Sequence, residues 1–278
     1  MTEWITTSDG IRIAYDQVGA GDPAIIFVHG GFGGRGGFNL QEEYFSPNHR
    51  CIQVDLRGHG ESDKPETWTM ADHGHDMGEL IRQLGLRKPV LVGQSMGGQV
   101  VISTAARHPD LVGAIASLDS PSNVPGWTAR VHGPYDHLIQ RDQDFRKALE
   151  QFLSASHLPT DNPNRAKETS EFLAGLDDNV ILNDWHGMSA FDPASVLAGV
   201  KCPYLYVDCG QPYIDLDLVR QLCPQVVIGK PVGAGHSALR VVPDQINAML
   251  NRFIQHADAI AAEMIRTGGV FQYTFPEN

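Results

Sequence analysis

The stretch Val90-Leu91-Val92-Gly93-Gln94-Ser95-Met96-Gly97-Gly98-Gln99-Val100-Val101 decides how this chain is read. Pro89 to Val92 is a short apolar run of the kind that forms a buried parallel strand. Gly98 to Ala106 reads as a helix. A G-x-S-x-G set between a strand and a helix forms a tight, strained turn that lifts the serine out at the carboxyl end of the sheet. Glycine two residues before and two after Ser95 removes the Cβ atoms that such a turn cannot hold. The pentapeptide alone is weak evidence, and its flanking strand and helix make it strong.

Working outward from Ser95, strand-like and helix-like stretches alternate. Ile11–Tyr15 alternates like an edge strand, while Ala24–Val28, Cys51–Asp55, Leu111–Leu118, Tyr204–Val207 and Val226–Ile228 read as further strands. Helical spacing runs over Met70–Leu84, with Gly85 as its stop, and a final helix over about Pro243–Ile265. Repeated β-α-β units imply a parallel sheet covered on both faces, with ligands at the carboxyl ends of the strands. From about Pro121 to Leu197 the alternation fails, and helices are predicted around Phe145–Ser156 and Lys167–Leu176. The expected organisation is therefore a first core segment over 1–120, a helical lid over 121–198 and a second core segment over 199–278. In the tail, Phe271, Tyr273 and Phe275 fall at every second position. They would suit an added edge strand, a homodimer contact or packing on their own subunit.

The chain has 278 residues, enough for one large α/β domain or one domain with an insertion. Its formal net charge of −12, with no Lys/Arg-rich run, argues against nucleic acid or an anionic membrane as a partner. Met1-Thr2-Glu3-Trp4 lacks the basic-then-apolar order of a secretory signal, and no run approaches a membrane span. The expectation is a soluble, cytoplasmic protein acting on a small molecule. Cys51, Cys202, Cys209 and Cys223 have no C-x-x-C spacing, so buried thiols are expected rather than a zinc site.

Four motifs, each after a predicted strand, together resemble the α/β-hydrolase superfamily over nearly the whole chain. They are His29-Gly30-Gly31-Phe32, Asp55-Leu56-Arg57-Gly58-His59-Gly60-Glu61-Ser62, Gly93-Gln94-Ser95-Met96-Gly97 and Gly235-His236. The resemblance implies the α/β-hydrolase fold, with a mostly parallel central sheet, helices on both faces and a helical lid. It makes Ser95 the nucleophile and His236 the base that takes its proton. It also implies an oxyanion hole from the backbone N–H groups of Met96 and Gly31, with Phe32 as the near rival of Gly31. No metal or organic cofactor is implied. His59 reads as a structural hydrogen-bonding residue.

The triad acid departs from the commonest pattern. Most members carry it after the strand that follows the lid, where this chain has Pro212 or Tyr213. Asp208 lies early, on the strand, and Asp215 and Asp217 read as carboxylates at a helix N-terminus. Asp119, after the strand that follows the Ser95 helix, is the preferred acid. That placement is similar to zearalenone-type lactonases, some amide hydrolases and cofactor-free quinolone dioxygenases. Phe32, Phe38, Trp127, Tyr135 and Trp185 are candidates to line an apolar pocket, and His132, His137 and His186 could hydrogen-bond a substrate. The leading expectation is a serine hydrolase cleaving an ester, lactone or related acyl bond. Two alternatives stay open. One is a cofactor-independent dioxygenase cleaving a 3-hydroxy-4-oxoquinoline-type ring with a His–Asp dyad, and the other is a small-molecule receptor.

Overall fold

A computed structural model of the chain describes residues 1–121, 145–155, 164–210 and 215–269. Its centre is one eight-stranded sheet with strand order β1-β2-β4-β3-β5-β6-β7-β8. The strands are β1 (Glu3–Thr6), β2 (Arg12–Val18), β3 (Ile25–Val28), β4 (Cys51–Val54), β5 (Val90–Gln94), β6 (Ala114–Leu118), β7 (Tyr204–Val207) and β8 (Val226–Gly229). β1 and β2 add antiparallel at one edge, and every other neighbouring pair is parallel.

Period-two alternation in the parallel strands sorts their side chains onto two faces. Ile26, Val28, Ile52, Val54, Leu91, Ile115, Tyr204 and Tyr206 belong to one apolar cluster. Their alternates Ile25, Phe27, Cys51, Val90, Val92, Ala116, Leu205 and Val207 belong to the other. Both faces being buried is why these strands are apolar without interruption. The first face is covered by α2 (Met70–Gln83) and α3 (Met96–Arg107), through Met77, Leu80, Ile81, Val100 and Val101. The second is covered by α1 (Asn39–Phe45) and α10 (Pro243–Thr267), through Phe45, Ile246, Leu250 and Phe253.

Between β6 and β7 the described helices are α4 (Phe145–Ala155), α5 (Arg165–Ala174), α6 (Asp178–Ala190) and α7 (Pro193–Leu197). α8 (Leu216–Leu222) and α9 (Ala238–Val241) flank β8. The expected strand over Leu111–Leu118 starts later, at Ala114, because Leu111 N–H closes a turn on His108 O and Gly113 N–H reaches Pro89 O. β1, α1, α6, α7 and α9 are not among the elements expected from the sequence. Among the described residues no helix is long and apolar enough to cross a membrane. The aromatic tail positions Phe271, Tyr273 and Phe275 lie outside the described residues.

Candidate active site

Sheet register sets the geometry. β5 and β6 pair in parallel with Gln94 opposite Leu118, so Ser95 and Asp119 are the next residues out of two adjacent strands at the same level. β3 pairs with β5 with Val28 opposite Gly93, which brings the Gly30-Gly31-Phe32 loop to the same end. Three short segments thus leave the sheet together.

Ser95 has φ 54° and ψ −121°, a left-handed conformation that costs a non-glycine residue about 1–3 kcal/mol. Ser95 N–H donates to Leu118 O at 3.0 Å and Gly98 N–H donates to Ser95 O at 2.9 Å, which hold the turn against that strain. A Cβ at Gly93 would collide with the Gly97 carbonyl, and one at Gly97 would collide with the carbonyls of Val28 and His29. Both flanking glycines are therefore required by close backbone approach.

Asp119 also sits at positive φ, 46°, which turns its carboxylate back across the strand ends. It is 2% exposed. Its Oδ2 lies 2.6 Å from His236 Nδ1, and its Oδ1 accepts the Cys209 N–H at 3.2 Å. The contact with a carboxylate assigns the His236 proton to Nδ1 and leaves a lone pair on Nε2. That Nε2 lies 3.1 Å from Gln94 Nε2, whose N–H donates to it. The other candidate acids are engaged elsewhere. Asp208 accepts from Gly210 N–H and pairs with Lys230 at 3.0 Å. Asp215 caps α8 by accepting Leu218 N–H, and the exposed Asp217 pairs with Arg220.

In the neighbouring loop, Phe32 N–H donates to Asp184 Oδ2 at 2.7 Å, so that group is committed. Gly31 N–H has no acceptor among the described residues. Met96 is the first residue of α3, where an N–H has no partner within the helix.

A cavity of about 830 Å³ opens over this end of the sheet, within the roughly 300–1,000 Å³ usual for small-molecule pockets. Gly31, Phe32, Phe38, Ser95 and His236 line one side, and Leu153, Phe172, Leu176 and Met188 from the inserted helices line another. Trp185 does not line it, being fully buried in the apolar cluster that includes Ile181 and Met188. His186, the next residue on α6, is not on the cavity wall either. Both expectations took residues of the insertion for pocket residues, whereas Trp185 faces the core and α6 reaches the cavity through Met188. Trp127, Tyr135, His132 and His137 lie outside the described residues. Sequence reading missed Gln94 and Asp184, since neither stands in a spacing that marks it.

The four cysteines are free. Burial pushes the Cys51, Cys202 and Cys223 thiols up to about 12, and burial with the nearby Asp119 charge raises Cys209 further. Thiols raised in this way stay protonated at neutral pH, which disfavours the nucleophilic thiolate. Among the described residues no group of three or more His, Cys, Asp or Glu is arranged to hold a metal ion.

Comparison with known proteins gives the fold family. Residues 23–192 match the family model described as alpha/beta hydrolase fold. A 2-(acetamidomethylene)succinate hydrolase of Mesorhizobium japonicum is 39% identical over 110 residues, covering 39% of each chain. A diacylglycerol lipase of Danio rerio, named as sn-1-specific, is 33% identical over 121 residues, covering 42% of this chain and 38% of the other. The chain thus spans well under half the length of either relative. In fold, an esterase from Exiguobacterium antarcticum superposes with a TM-score of 0.79, at 18% identity, over 92% of this chain and all of the other. The chain belongs to the α/β-hydrolase fold family.

Proposed function

We propose that the protein is a serine hydrolase that cleaves an ester, lactone or related acyl bond of a small, partly apolar molecule. The observation that carries this reading is the 2.6 Å contact between His236 Nδ1 and Asp119 Oδ2, one strand away from a strained Ser95. Ser95 Oγ attacks the acyl carbon as His236 Nε2 takes its proton. Asp119 holds the imidazole in the tautomer that leaves Nε2 unprotonated and stabilises the imidazolium that forms. The developing oxyanion is met by Gly31 N–H and Met96 N–H, each such donor being worth about 2.7–4 kcal/mol. His236 then returns the proton to the leaving group, and water repeats the sequence on the acyl-enzyme.

Gln94 takes part in the resting arrangement. Its amide N–H occupies the Nε2 lone pair of His236 and must yield when Ser95 Oγ transfers its proton. The inserted helices act as a lid over the cavity, a role supported by Leu153, Phe172, Leu176 and Met188 on its wall. The predominance of apolar side chains there favours a partly apolar acyl or alcohol group.

The test is a panel of aryl esters, lactones and N-acyl substrates, with Ser95→Ala as control. The name of the Mesorhizobium relative makes acylated enamines a class to include. Turnover that vanishes in Ser95→Ala supports the proposal. Oxygen consumption with a 3-hydroxy-4-oxoquinoline that survives Ser95→Ala would replace it with the dioxygenase reading.

A further inference from the structure

Asp184 is fully buried, yet its carboxylate receives hydrogen bonds from three separate parts of the chain. Oδ2 accepts from Phe32 N–H at 2.7 Å and from His59 Nε2 at 2.8 Å, and Oδ1 accepts from Trp68 Nε1 at 3.0 Å. The donors come from the loop after β3, the loop after β4 and the segment before α2. Asp184 itself belongs to α6, in the insertion between β6 and β7. A charge is not kept in a core without such partners.

The position of Phe32 gives these bonds their consequence. Phe32 has φ 64°, a strained value next to Gly31. A peptide is planar, so fixing one end fixes the other. The bond from Phe32 N–H fixes the peptide that joins Gly31 to Phe32. The peptide before it joins Gly30 to Gly31, and its carbonyl accepts from His29 Nδ1 at 2.7 Å. The N–H of that same peptide is the Gly31 donor. Gly31 is therefore clamped on both sides, by His29 through Gly30 O and by Asp184 through Phe32 N–H. α6 also lies directly against the loop, since a Cβ at Gly31 would meet Met188 Cε at 3.4 Å and Asp184 Oδ2 at 3.7 Å.

The partner across Asp184 is charged. His59 Nδ1 lies 3.0 Å from Arg57 O, which can only accept, and its Nε2 faces the carboxylate, which also accepts when ionised. Both ring nitrogens must donate, so His59 is an imidazolium. Burial draws its pKa down, and Asp184 more than restores it, for a net rise. Asp184 is held below its ordinary value by His59 despite burial. The other groups facing the pair are His29, His73, Arg57 and Asp55. His29 is neutral because its Nδ1–H donates to Gly30 O while its Nε2 accepts Leu56 N–H at 3.1 Å.

We infer that Asp184, ionised and paired with His59, is a positioning residue that holds the Gly31 N–H in line as an oxyanion donor and ties that donor to helix α6. The kinetic part of this inference rests on the serine-hydrolase reading above.

Asp184→Asn removes the charge and leaves one carbonyl oxygen where two carboxylate oxygens served three donors. The experiment compares an aryl ester with its thionoester, whose sulfur is poorly served by an oxyanion hole built for oxygen. For the ester, kcat falls on the order of 10²-fold with KM little changed, because the lost interaction is made in the transition state. The thionoester rate changes far less, so the preference for oxygen collapses. An equal fall for both substrates, or no fall for either, overturns the positioning role.

Two NMR readouts stand apart from hydrolysis. In the wild type, ¹⁵N shifts show both His59 ring nitrogens protonated at pH 7, and a neutral ring overturns the ion pair whether or not any variant folds. In Asp184→Asn the Phe32 amide proton moves upfield and exchanges faster, and an unchanged Phe32 amide overturns the clamp. If the wild type turns over no acyl substrate, the hydrolase reading fails, while the Phe32 and His59 signals still judge the contacts.

Discussion

Replacing Asp119 by Asn tests the acid assignment through a feature specific to this site. Asp119 Oδ1 accepts the Cys209 N–H at 3.2 Å, whereas Oδ2 faces His236 Nδ1 at 2.6 Å. An asparagine keeps the Cys209 bond only with its carbonyl oxygen toward Cys209, which turns its NH₂ toward His236. That NH₂ donates to Nδ1 and so drives the imidazole proton to Nε2, where it blocks transfer from Ser95. The substitution is nearly isosteric and sits where no volume changes, so the fold is retained. In a Ser-His-Asp triad this swap lowers kcat by about 10⁴-fold, or about 5.4 kcal/mol of transition-state stabilisation. The assay is kcat and KM on the best aryl ester from the panel, beside Asp208→Asn, Asp215→Asn and Asp217→Asn. Asp119→Asn alone should show the large fall, with urea unfolding close to wild type. Activity within tenfold of wild type, or a comparable fall in one of the later variants, would refute the reasoning.

Gly97→Ala forces a Cβ against the carbonyls of Val28 and His29, which belong to the central sheet and its exit and have nowhere to retreat. Overpacking of this kind costs about 1–3 kcal/mol, so the urea midpoint should drop and activity with it. An unchanged midpoint would mean the turn is looser than described. Acid sensitivity follows from two buried neutral histidines, His29 and His73, whose pKa values burial lowers to about 4 and about 3. Their ordinary value is 6.5, so the unfolded chain binds more protons below it. The stability they contribute is complete above pH 6.5 and is lost as the pH falls toward the folded values, at about 1.4 kcal/mol per pH unit for each. Among the described residues neither ring nitrogen of His73 has a hydrogen-bond partner, so His73→Leu should make the decline in stability between pH 6 and pH 5 shallower. Urea titrations at both pH values check this, and an unaltered slope counts against a neutral His73.

Most of the sheet is legible in the sequence because the parallel strands are buried on both faces and read as unbroken apolar runs. Ala24–Val28, Cys51–Asp55 and Tyr204–Val207 fall within a residue of β3, β4 and β7 at each end. β1 escapes notice because it is a four-residue edge strand, Glu3–Thr6, that buries only Ile5 and so carries little pattern. α1 starts at Asn39 after Phe38, which offers no side-chain cap, so no start signal marks it. Ser95, His236, Gly31 and Asp119 are readable because strand ends and glycine spacing locate them. Asp184 is not, since a single aspartate on an inserted helix looks like any surface carboxylate until packing brings Phe32, His59 and Trp68 to it. Trp185 misleads for the converse reason. An aromatic in a charged insertion suggests a pocket wall, but the helix presents it to the core.

The central claim is that Ser95 is the nucleophile of a triad completed by His236 and Asp119. Its most direct test is intact-protein and peptide mass spectrometry after treatment with a fluorophosphonate. The account predicts one adduct per chain, on Ser95, formed rapidly in the wild type, absent in Ser95→Ala and strongly slowed in Asp119→Asn. No adduct in the folded wild type, or an adduct on another residue, would contradict it.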